Sequence, residues 1–170
     1  MNLDDFIRDI PDFPKQGVGF KDITPLLMNP EAVREAVKRF VGLLDGQSID
    51  KVVGIESRGF FFATLLADAC EAGFVPIRKP GKLPYHTHRE EYDLEYGRDT
   101  LEIHVDAIKK GDKVLIHDDV LATGGTAAAA IRLIERMGGE IVQLNFLMEL
   151  SFLNGMDKLN PYEVVALLKY

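Results

Sequence analysis

Cysteine is almost absent from this chain. Cys70 is the only cysteine among 170 residues, so an internal disulfide cannot form and a zinc site built from several cysteines is excluded. No apolar stretch reaches the roughly 18–20 residues that a membrane-spanning helix needs. The first residues lack the basic start and apolar run of a signal peptide. We therefore expect a soluble protein in a reducing, cytoplasmic setting.

Positive charge is also scarce, because 20 Lys and Arg residues stand against 27 Asp and Glu residues. The net charge of −7 argues against broad, non-specific binding to nucleic acid or to an anionic membrane. The hydrophobic share of 46% is typical of a globular protein, and the length favours a single domain over residues 1–170. A small basic site for one anionic ligand remains compatible with this composition.

Strand-like and helix-like segments alternate along most of the chain. Asn29 and Pro30 form a helix start signal, and apolar residues at helical spacing follow it as far as Gly46. Two further helices are predicted at 60–72 and 126–137. Strands are predicted at 51–56, 74–78, 101–105, 113–117, 140–146 and 164–168. This order predicts an α/β fold with a mostly parallel central sheet flanked by helices.

Two segments resist assignment to this pattern. Residues 1–30 are rich in Pro and Gly and predict an irregular cover over the sheet. Residues 80–100 are polar and spotted with aromatics, and unstructured segments of this length usually form lids or binding loops. An ordinary β-hairpin is the alternative for this second segment.

The segment from Val114 to Thr126 carries the sharpest chemical signal. A buried strand delivers Asp118 and Asp119 to its carboxyl end, where ligands bind in open α/β sheets. The glycine turn that follows leads into a helix, and its backbone N–H groups suit a phosphate. Adjacent carboxylates would repel a bare phosphate but accept hydrogen bonds from hydroxyl groups. The combination predicts a sugar phosphate ligand, and the alternative is a plain glycine turn with two solvated aspartates.

Two further basic features lie at predicted strand ends. The stretch 54–59 has the glycine spacing of a P-loop but lacks its Lys and Ser/Thr, so it is a glycine-bounded turn that carries Arg58. Residues 78–89 hold four basic residues and no acidic one, a local charge of +4. Both suit a second anion site, although a basic run can also be a solvated face. His86 and His88 lack the spacing of a metal site, and we expect structural histidines.

Six stretches, in this order and spacing, resemble the type I phosphoribosyltransferases, and among them the adenine-specific family. The stretches are Phe13–Gly17, Phe20–Leu27, Glu56–Phe60, Ile77–Pro84, Tyr92–Gly97 and Val114–Thr126. The resemblance covers essentially all 170 residues. It implies the type I phosphoribosyltransferase fold, with residues of about 1–30 as a hood over the base and about 80–100 as a flexible catalytic lid. It also implies purine salvage, in which adenine and 5-phosphoribosyl 1-pyrophosphate give AMP and pyrophosphate.

The resemblance implies a role for each part of the long motif. Asp118 and Asp119 would hold the ribose hydroxyls. The 5′-phosphate would lie against Ala122, Thr123, Gly124, Gly125 and Thr126. Mg²⁺ would be the cofactor, held mainly by substrate oxygens and water rather than directly by protein side chains. The pyrophosphate would bind Ser57, Arg58, Arg78, Lys79 and Lys82.

The resemblance also assigns the base and the lid. Phe20 would stack on adenine, with backbone groups of Val18 and Lys21 reading its edge. Glu95 would handle a proton near adenine N7 and Tyr96 would close over the pyrophosphate, so that Glu95, Tyr96 and Arg58 form the catalytic set. Lys21 stands where arginine is common, and this should matter little because the backbone does the reading. The resemblance further implies a homodimer.

Two alternatives remain at this point. One is a phosphoribosyltransferase for another purine base, although the hypoxanthine-guanine enzymes usually carry Glu-Asp where this chain has Asp118-Asp119. The other is a non-catalytic regulator of the same fold that senses phosphoribosyl pyrophosphate. Such regulators add a basic DNA-binding segment, and none is visible in this sequence.

Substitution of Glu95 by Gln tests the implied proton-handling role. The change keeps the size of the side chain but removes its basic carboxylate, so turnover should fall strongly while folding is spared. Steady-state turnover with adenine and a thermal unfolding curve together check this. Near-normal turnover would remove Glu95 from that role.

Overall fold

The structure of the chain, a computed structural model, describes residues 1–94 and 97–170. Its strands are β1 Arg8–Ile10, β2 Phe20–Asp22, β3 Lys51–Ile55, β4 Gly73–Ile77, β5 Thr87–Leu94, β6 Gly97–His104, β7 Lys113–Leu121, β8 Glu140–Glu149 and β9 Val164–Lys169. Its α-helices are α1 Thr24–Leu27, α2 Pro30–Leu43, α3 Gly59–Ala69 and α4 Gly125–Met137. Three short 3₁₀ segments lie at Leu3–Phe6, Ser151–Leu153 and Gly155–Leu159.

Five parallel strands form the central sheet in the order β4-β3-β7-β8-β9. This confirms the predicted α/β class and its mostly parallel sheet. Strand β7 lies in the middle and runs four residues further than predicted, through both aspartates to Leu121. Pairing with β8 explains the extension, because Asp118 lies opposite Phe146 and Val120 opposite Met148. The ladder therefore overrides the low strand propensity of aspartate.

Helices cover both faces of the sheet. Phe40 of α2 and Phe62 of α3 pack with Leu115 on one face, whereas Ile116 packs with Leu133 of α4 on the other. The predicted start of α2 is confirmed, since the Asn29 side chain accepts hydrogen bonds from two backbone N–H groups of the first turn. Within the described part of the chain, no helix combines the length and the apolar character needed to cross a bilayer.

The first thirty residues are more ordered than predicted. Strands β1 and β2 form an antiparallel ribbon in which Asp9 pairs with Lys21 and Ile10 with Phe20. The short helix α1 follows, and the Asp22 carboxylate accepts hydrogen bonds from Thr24 at its start. Three-residue strands are too short to show an alternating pattern, which is why the sequence predicted only an irregular cover.

The hairpin alternative is the correct one for the end of the 80–100 segment. Strands β5 and β6 pair antiparallel over their whole length, with Tyr92 opposite Asp99. The hairpin packs on α4, where the carboxylate of Glu90 forms ion pairs with Arg132 and Arg136. This anchoring explains why a polar sequence forms a strand here. Glu95 and Tyr96 lie outside the described residues.

His117 is fully buried in the core beneath the two aspartates. Its ring meets Phe40 edge-on at a centroid distance of 5.2 Å, and Nδ1 lies 2.6 Å from Asn145 Oδ1. These contacts give His117 a structural role in the core. Burial disfavours the charged ring and lowers the pKa of His117 to about 4.

The buried His117 should make the protein less stable in mild acid. Its folded pKa lies below the ordinary value of 6.5, so the unfolded chain binds the extra proton between those values and stability falls as the pH falls. From pH 7 to pH 5 we expect a loss of about 2 kcal/mol from this group.

Urea unfolding at the two pH values measures this loss, with His117→Leu as the matched variant that cannot titrate. The variant should lose about 2 kcal/mol less than the wild type over the same pH range. An identical pH dependence in both proteins would contradict the assignment.

Candidate active site

The site begins at the carboxyl end of β7, the central strand. Asp118 and Asp119 lie near the end of this strand, just before the turn 122–124. Helix α4 starts at Gly125, directly after that turn. A small cavity of about 70 Å³ opens there, lined by Asp118, Phe146 and residues 120–127. Its wall is therefore the predicted phosphate-binding stretch together with one of the two carboxylates. The backbone N–H groups at a helix start favour an anion in such a cavity.

Gly124 and Gly155 fix the shape of this turn. Gly124 has a φ of +78°, a left-handed conformation that favours glycine. A Cβ atom at Gly124 would overlap the Gly155 carbonyl oxygen, and one at Gly155 would overlap the Ala122 carbonyl oxygen. The two backbones thus touch. Gly155 was missed in the sequence because nothing local marks a glycine as the partner of a turn thirty residues earlier.

The two aspartates lie in different surroundings. Asp119 is buried, and its Oδ2 lies 2.8 Å from Nε of Arg58, but no donor is aligned to form a proper hydrogen bond with that oxygen. Asp118 is half-buried, and its Oδ1 accepts a hydrogen bond of 2.9 Å from the Asp119 backbone N–H. The two side chains therefore keep acceptor capacity for an incoming hydroxyl group.

Burial raises the pKa values of both carboxyl groups of this pair. Burial, reinforced by the charge of Asp119, raises the pKa of Asp118 well above its ordinary value. Burial also raises the pKa of Asp119, and the Arg58 guanidinium offsets part of that effect. Ionising both carboxylates is thus costly in the unliganded protein.

Arg58 lies between the carboxylates and the N-terminal ribbon. It directly precedes α3, and its guanidinium packs over the ring of Phe20 at 4.8 Å from the centroid. The same guanidinium pairs with Asp119. The structure thus brings together Asp119, Arg58 and Phe20, three residues that the sequence predicted separately.

Glu56 organises the basic residues at the end of β4. Its two carboxylate oxygens each lie 3.3 Å from a nitrogen of Arg78, and one of them accepts a 2.8 Å hydrogen bond from the Lys79 backbone N–H. Burial alone would raise the pKa of Glu56, but these donors bring it below the ordinary value. Glu56 was not predicted as a site residue, because a lone glutamate in a turn gives no signal.

The remaining predicted anion-binding residues, which are two lysines, a serine and a threonine, differ in their contacts. The Lys79 ammonium group reaches the hairpin, where it contacts the carboxylate of Asp99 and the hydroxyl of Tyr92. Lys82 is exposed, as is Ser57. Thr126, in the first turn of α4, places its Oγ1 3.3 Å from the same Tyr92 hydroxyl. Tyr92 was also missed, since a tyrosine in a polar stretch predicts no contact with a phosphate turn.

An apolar cavity of about 500 Å³ adjoins the N-terminal ribbon. Its lining includes Phe20, Leu150 and Tyr170. Lys21 borders it and packs its ammonium 3.8 Å from the centre of the Tyr170 ring. Leu150 was missed because an aliphatic residue after a strand is usually a core residue.

Val18 is predicted to read the edge of the base with its backbone groups, but both of these groups already form hydrogen bonds. Its backbone N–H donates to the Lys15 carbonyl at 3.2 Å, and its carbonyl accepts from the Phe13 N–H at 2.9 Å. Both groups are thus engaged within the turn that leads to β2. Reading of a base edge by Val18 stays a prediction that requires these groups to be shared or released.

Comparison with known proteins gives a consistent result. The family model for the phosphoribosyl transferase domain matches residues 23–165. An adenine phosphoribosyltransferase of Christiangramia forsetii is 68% identical over 170 residues, covering 100% of this chain and 99% of that protein. The adenine phosphoribosyltransferase from Rhodothermus marinus, known from a crystal structure, has 55% sequence identity to this chain. The two structures superpose with a TM-score of 0.95 over 99% of this chain and 96% of that one.

A third relative carries ligands. The Saccharomyces cerevisiae adenine phosphoribosyltransferase was crystallised with an imino-altritol bisphosphate and adenine. It is 42% identical, with a TM-score of 0.93 over 98% of this chain and 96% of that one.

Removing the charge of Asp118 should stabilise the unliganded protein. Asp118→Asn keeps an oxygen that can accept the Asp119 N–H but relieves the burial and repulsion that raise the pKa. We expect a gain on the order of 1 kcal/mol in the free energy of unfolding at neutral pH. Denaturant unfolding measures it.

Asp119→Asn is the matched control. It also removes one buried carboxylate, but it takes the anion away from Arg58, so its gain should be smaller or should turn into a loss. An Asp118→Asn protein that is less stable than the wild type would contradict the electrostatic account.

Proposed function

This chain belongs to the adenine phosphoribosyltransferases, and from that premise we propose how its residues carry out the reaction. The enzyme joins adenine to 5-phosphoribosyl 1-pyrophosphate and releases AMP and pyrophosphate. The bond between ribose C1′ and the pyrophosphate oxygen breaks, and a bond from C1′ to the base nitrogen forms. The observation that carries the assignment of residues is the phosphate-sized cavity at the turn, joined directly to two adjacent carboxylates of which Asp119 is buried and Asp118 half-buried.

The sugar phosphate occupies the end of β7. Its 5′-phosphate lies in the cavity at the start of α4, where the turn 122–124, Gly125 and Thr126 supply backbone and hydroxyl donors. Asp118 and Asp119 accept hydrogen bonds from the ribose hydroxyls. The carboxylate of Asp118 supports this role, because it lines the cavity and its oxygens can accept hydrogen bonds from a hydroxyl group.

The leaving pyrophosphate needs positive charge as the C1′–O bond breaks, since the sugar then resembles an oxocarbenium ion. We assign this charge to Arg58 and Lys79, which follow β3 and β4, together with the exposed Lys82 and Ser57. Arg78 acts mainly through its ion pair with Glu56, which holds the two loops together. Stabilising the departing negative charge is the main catalytic task.

Magnesium fits this site by the chemistry of its donors. The available groups are carboxylate oxygens, which Mg²⁺ prefers, but no cluster of three metal-binding side chains exists among residues 1–94 and 97–170. We therefore propose that Mg²⁺ would be held mainly by substrate oxygens and water. When bound, the ion neutralises the charge of the pyrophosphate.

Adenine occupies the side of the site nearest Phe20. The ring of Phe20 stacks on the base, and the apolar cavity that Phe20 and Leu150 both line gives the base an apolar surface. Arg58 touches both Phe20 and Asp119, so a base on Phe20 and a ribose on Asp119 would be neighbours. Backbone groups near Val18 and Lys21 read the edge of the base.

The proposal also covers the catalytic lid, the location in the cell and the oligomeric state. Glu95 and Tyr96, which lie outside the described residues, are assigned to proton handling and to closure over the pyrophosphate. A cytoplasmic location suits an enzyme whose substrate and products are charged phosphates, which do not cross membranes unaided. A homodimer is proposed from the family resemblance.

A base-by-base assay tests the proposed function. The protein is mixed with 5-phosphoribosyl 1-pyrophosphate, Mg²⁺ and each purine separately, and pyrophosphate release is followed. We expect release with adenine well above that with hypoxanthine, guanine or xanthine.

A double variant, Asp118→Asn with Asp119→Asn, serves as the negative control, because it lacks both groups assigned to the ribose. Its release should fall to background with every base. A preference for a 6-oxopurine would contradict the adenine assignment, and equal release by the double variant would contradict the assigned sugar site.

A further inference from the structure

Asp99 occupies an unexpected position on the β5–β6 hairpin. Its carboxylate contacts the Lys79 ammonium, one of the groups assigned to the pyrophosphate, and lies 3.2 Å from the Tyr92 hydroxyl. Asp99 stands directly opposite Tyr92 in the strand pairing. An acidic side chain from the hairpin therefore holds the cation that the leaving group needs.

Both partners are ionised and accessible. Burial alone would raise the pKa of Asp99, but hydrogen bonds from Lys79 and from the Thr100 N–H bring it below its ordinary value. Lys79 keeps 39% of its side chain exposed and Asp99 keeps 27%, so an incoming anion can reach the pair. The contact is thus an ion pair that a competing anion can exchange.

We propose that Asp99 is an internal substitute for the pyrophosphate group, holding Lys79 in the unliganded enzyme and giving it up when the phosphate oxygens arrive. The inference rests on the proposed function, because it takes Lys79 as a ligand of the pyrophosphate. Asp99 is then a positioning residue that sets how tightly the enzyme holds the pyrophosphate of its substrate and of its product.

The surroundings of Asp99 suit such an exchange. When Lys79 turns to the phosphate oxygens, the Tyr92 hydroxyl at 3.2 Å can still donate to the freed carboxylate. Tyr92 is itself buried and lies within 3.3 Å of Thr126 Oγ1 in the phosphate turn. The carboxylate is therefore not left without a donor, and the cost of the exchange stays small.

The exchange has a consequence for turnover. Every binding event must first break the Lys79–Asp99 pair, which weakens binding of the substrate. The same pair re-forms when pyrophosphate departs, which helps the product to leave. Removing Asp99 should therefore tighten binding, whereas most damage to a site weakens it.

Asp99→Asn is the decisive variant, because it keeps the shape of the side chain and removes its charge. We expect the inhibition constant of pyrophosphate and the KM for 5-phosphoribosyl 1-pyrophosphate both to fall about threefold to fivefold, in line with partly exposed ion pairs. The KM for adenine should not change. Thermal unfolding of the variant verifies that the fold is intact.

Two controls separate this effect from others. Glu91→Gln removes an exposed carboxylate from the same hairpin that pairs only weakly with Arg98 at 3.8 Å, and it should leave the pyrophosphate constants unchanged. In a Lys79→Gln background, Asp99→Asn should no longer tighten pyrophosphate binding. A persistent effect there would mean that Asp99 acts through its general field and would overturn the proposal.

Direct calorimetric titration with magnesium pyrophosphate keeps the test independent of catalysis. Unchanged or weaker binding by Asp99→Asn would overturn the exchange even if the wild type proves active with adenine. Tighter binding by the variant would support it even if the wild type preferred another base, so the two proposals can fail separately.

Discussion

Two adjacent carboxylates, one buried and one half-buried, lie at the end of the central strand, and the site depends on this constraint. Water solvates Asp118 only in part and Asp119 hardly at all, so the surrounding protein must compensate. Arg58 forms an ion pair with Asp119, and the backbone N–H of Asp119 donates a hydrogen bond to the Asp118 carboxylate. Gly59, at the start of α3, leaves room for this arrangement, because a Cβ atom there would lie 2.8 Å from Asp118 Oδ1. The compensation is incomplete, and hydroxyl donors of a sugar can supply the rest.

The strongest local patterns predicted the regular core correctly. The cap and the proline at the start of α2, the glycine-rich turn before α4 and the buried runs of β3 and β7 are each encoded within a few consecutive residues. The glycine turn and both aspartates could be proposed as one site for the same reason, since they adjoin one another in the chain. The carboxyl ends of β3, β4 and β7 meet at one sheet edge, and this brings Arg58 and Lys79 to the same region.

The residues that the sequence did not reveal act across long separations. Glu56 pairs with Arg78, and Leu150 faces the ribbon that carries Phe20. Tyr92 meets Thr126 only after the hairpin packs on α4. None of these contacts leaves a periodic pattern or a motif, because each depends on how elements pack rather than on the local run of residues. The hairpin itself was ambiguous, since its ion pairs to α4 come from residues more than forty positions away.

Because the turn 122–124 and Gly155 are in close contact, the residues allowed in one of these two stretches depend on the residues present in the other. The turn can keep its shape only while position 155 carries no side chain, and position 155 can change only if Ala122 moves. Genetic change in one stretch is therefore tolerated only when the other allows it. A substitution at Gly155 would be recorded as a change in the turn 122–124, although that glycine lies outside the lining of the cavity at this turn.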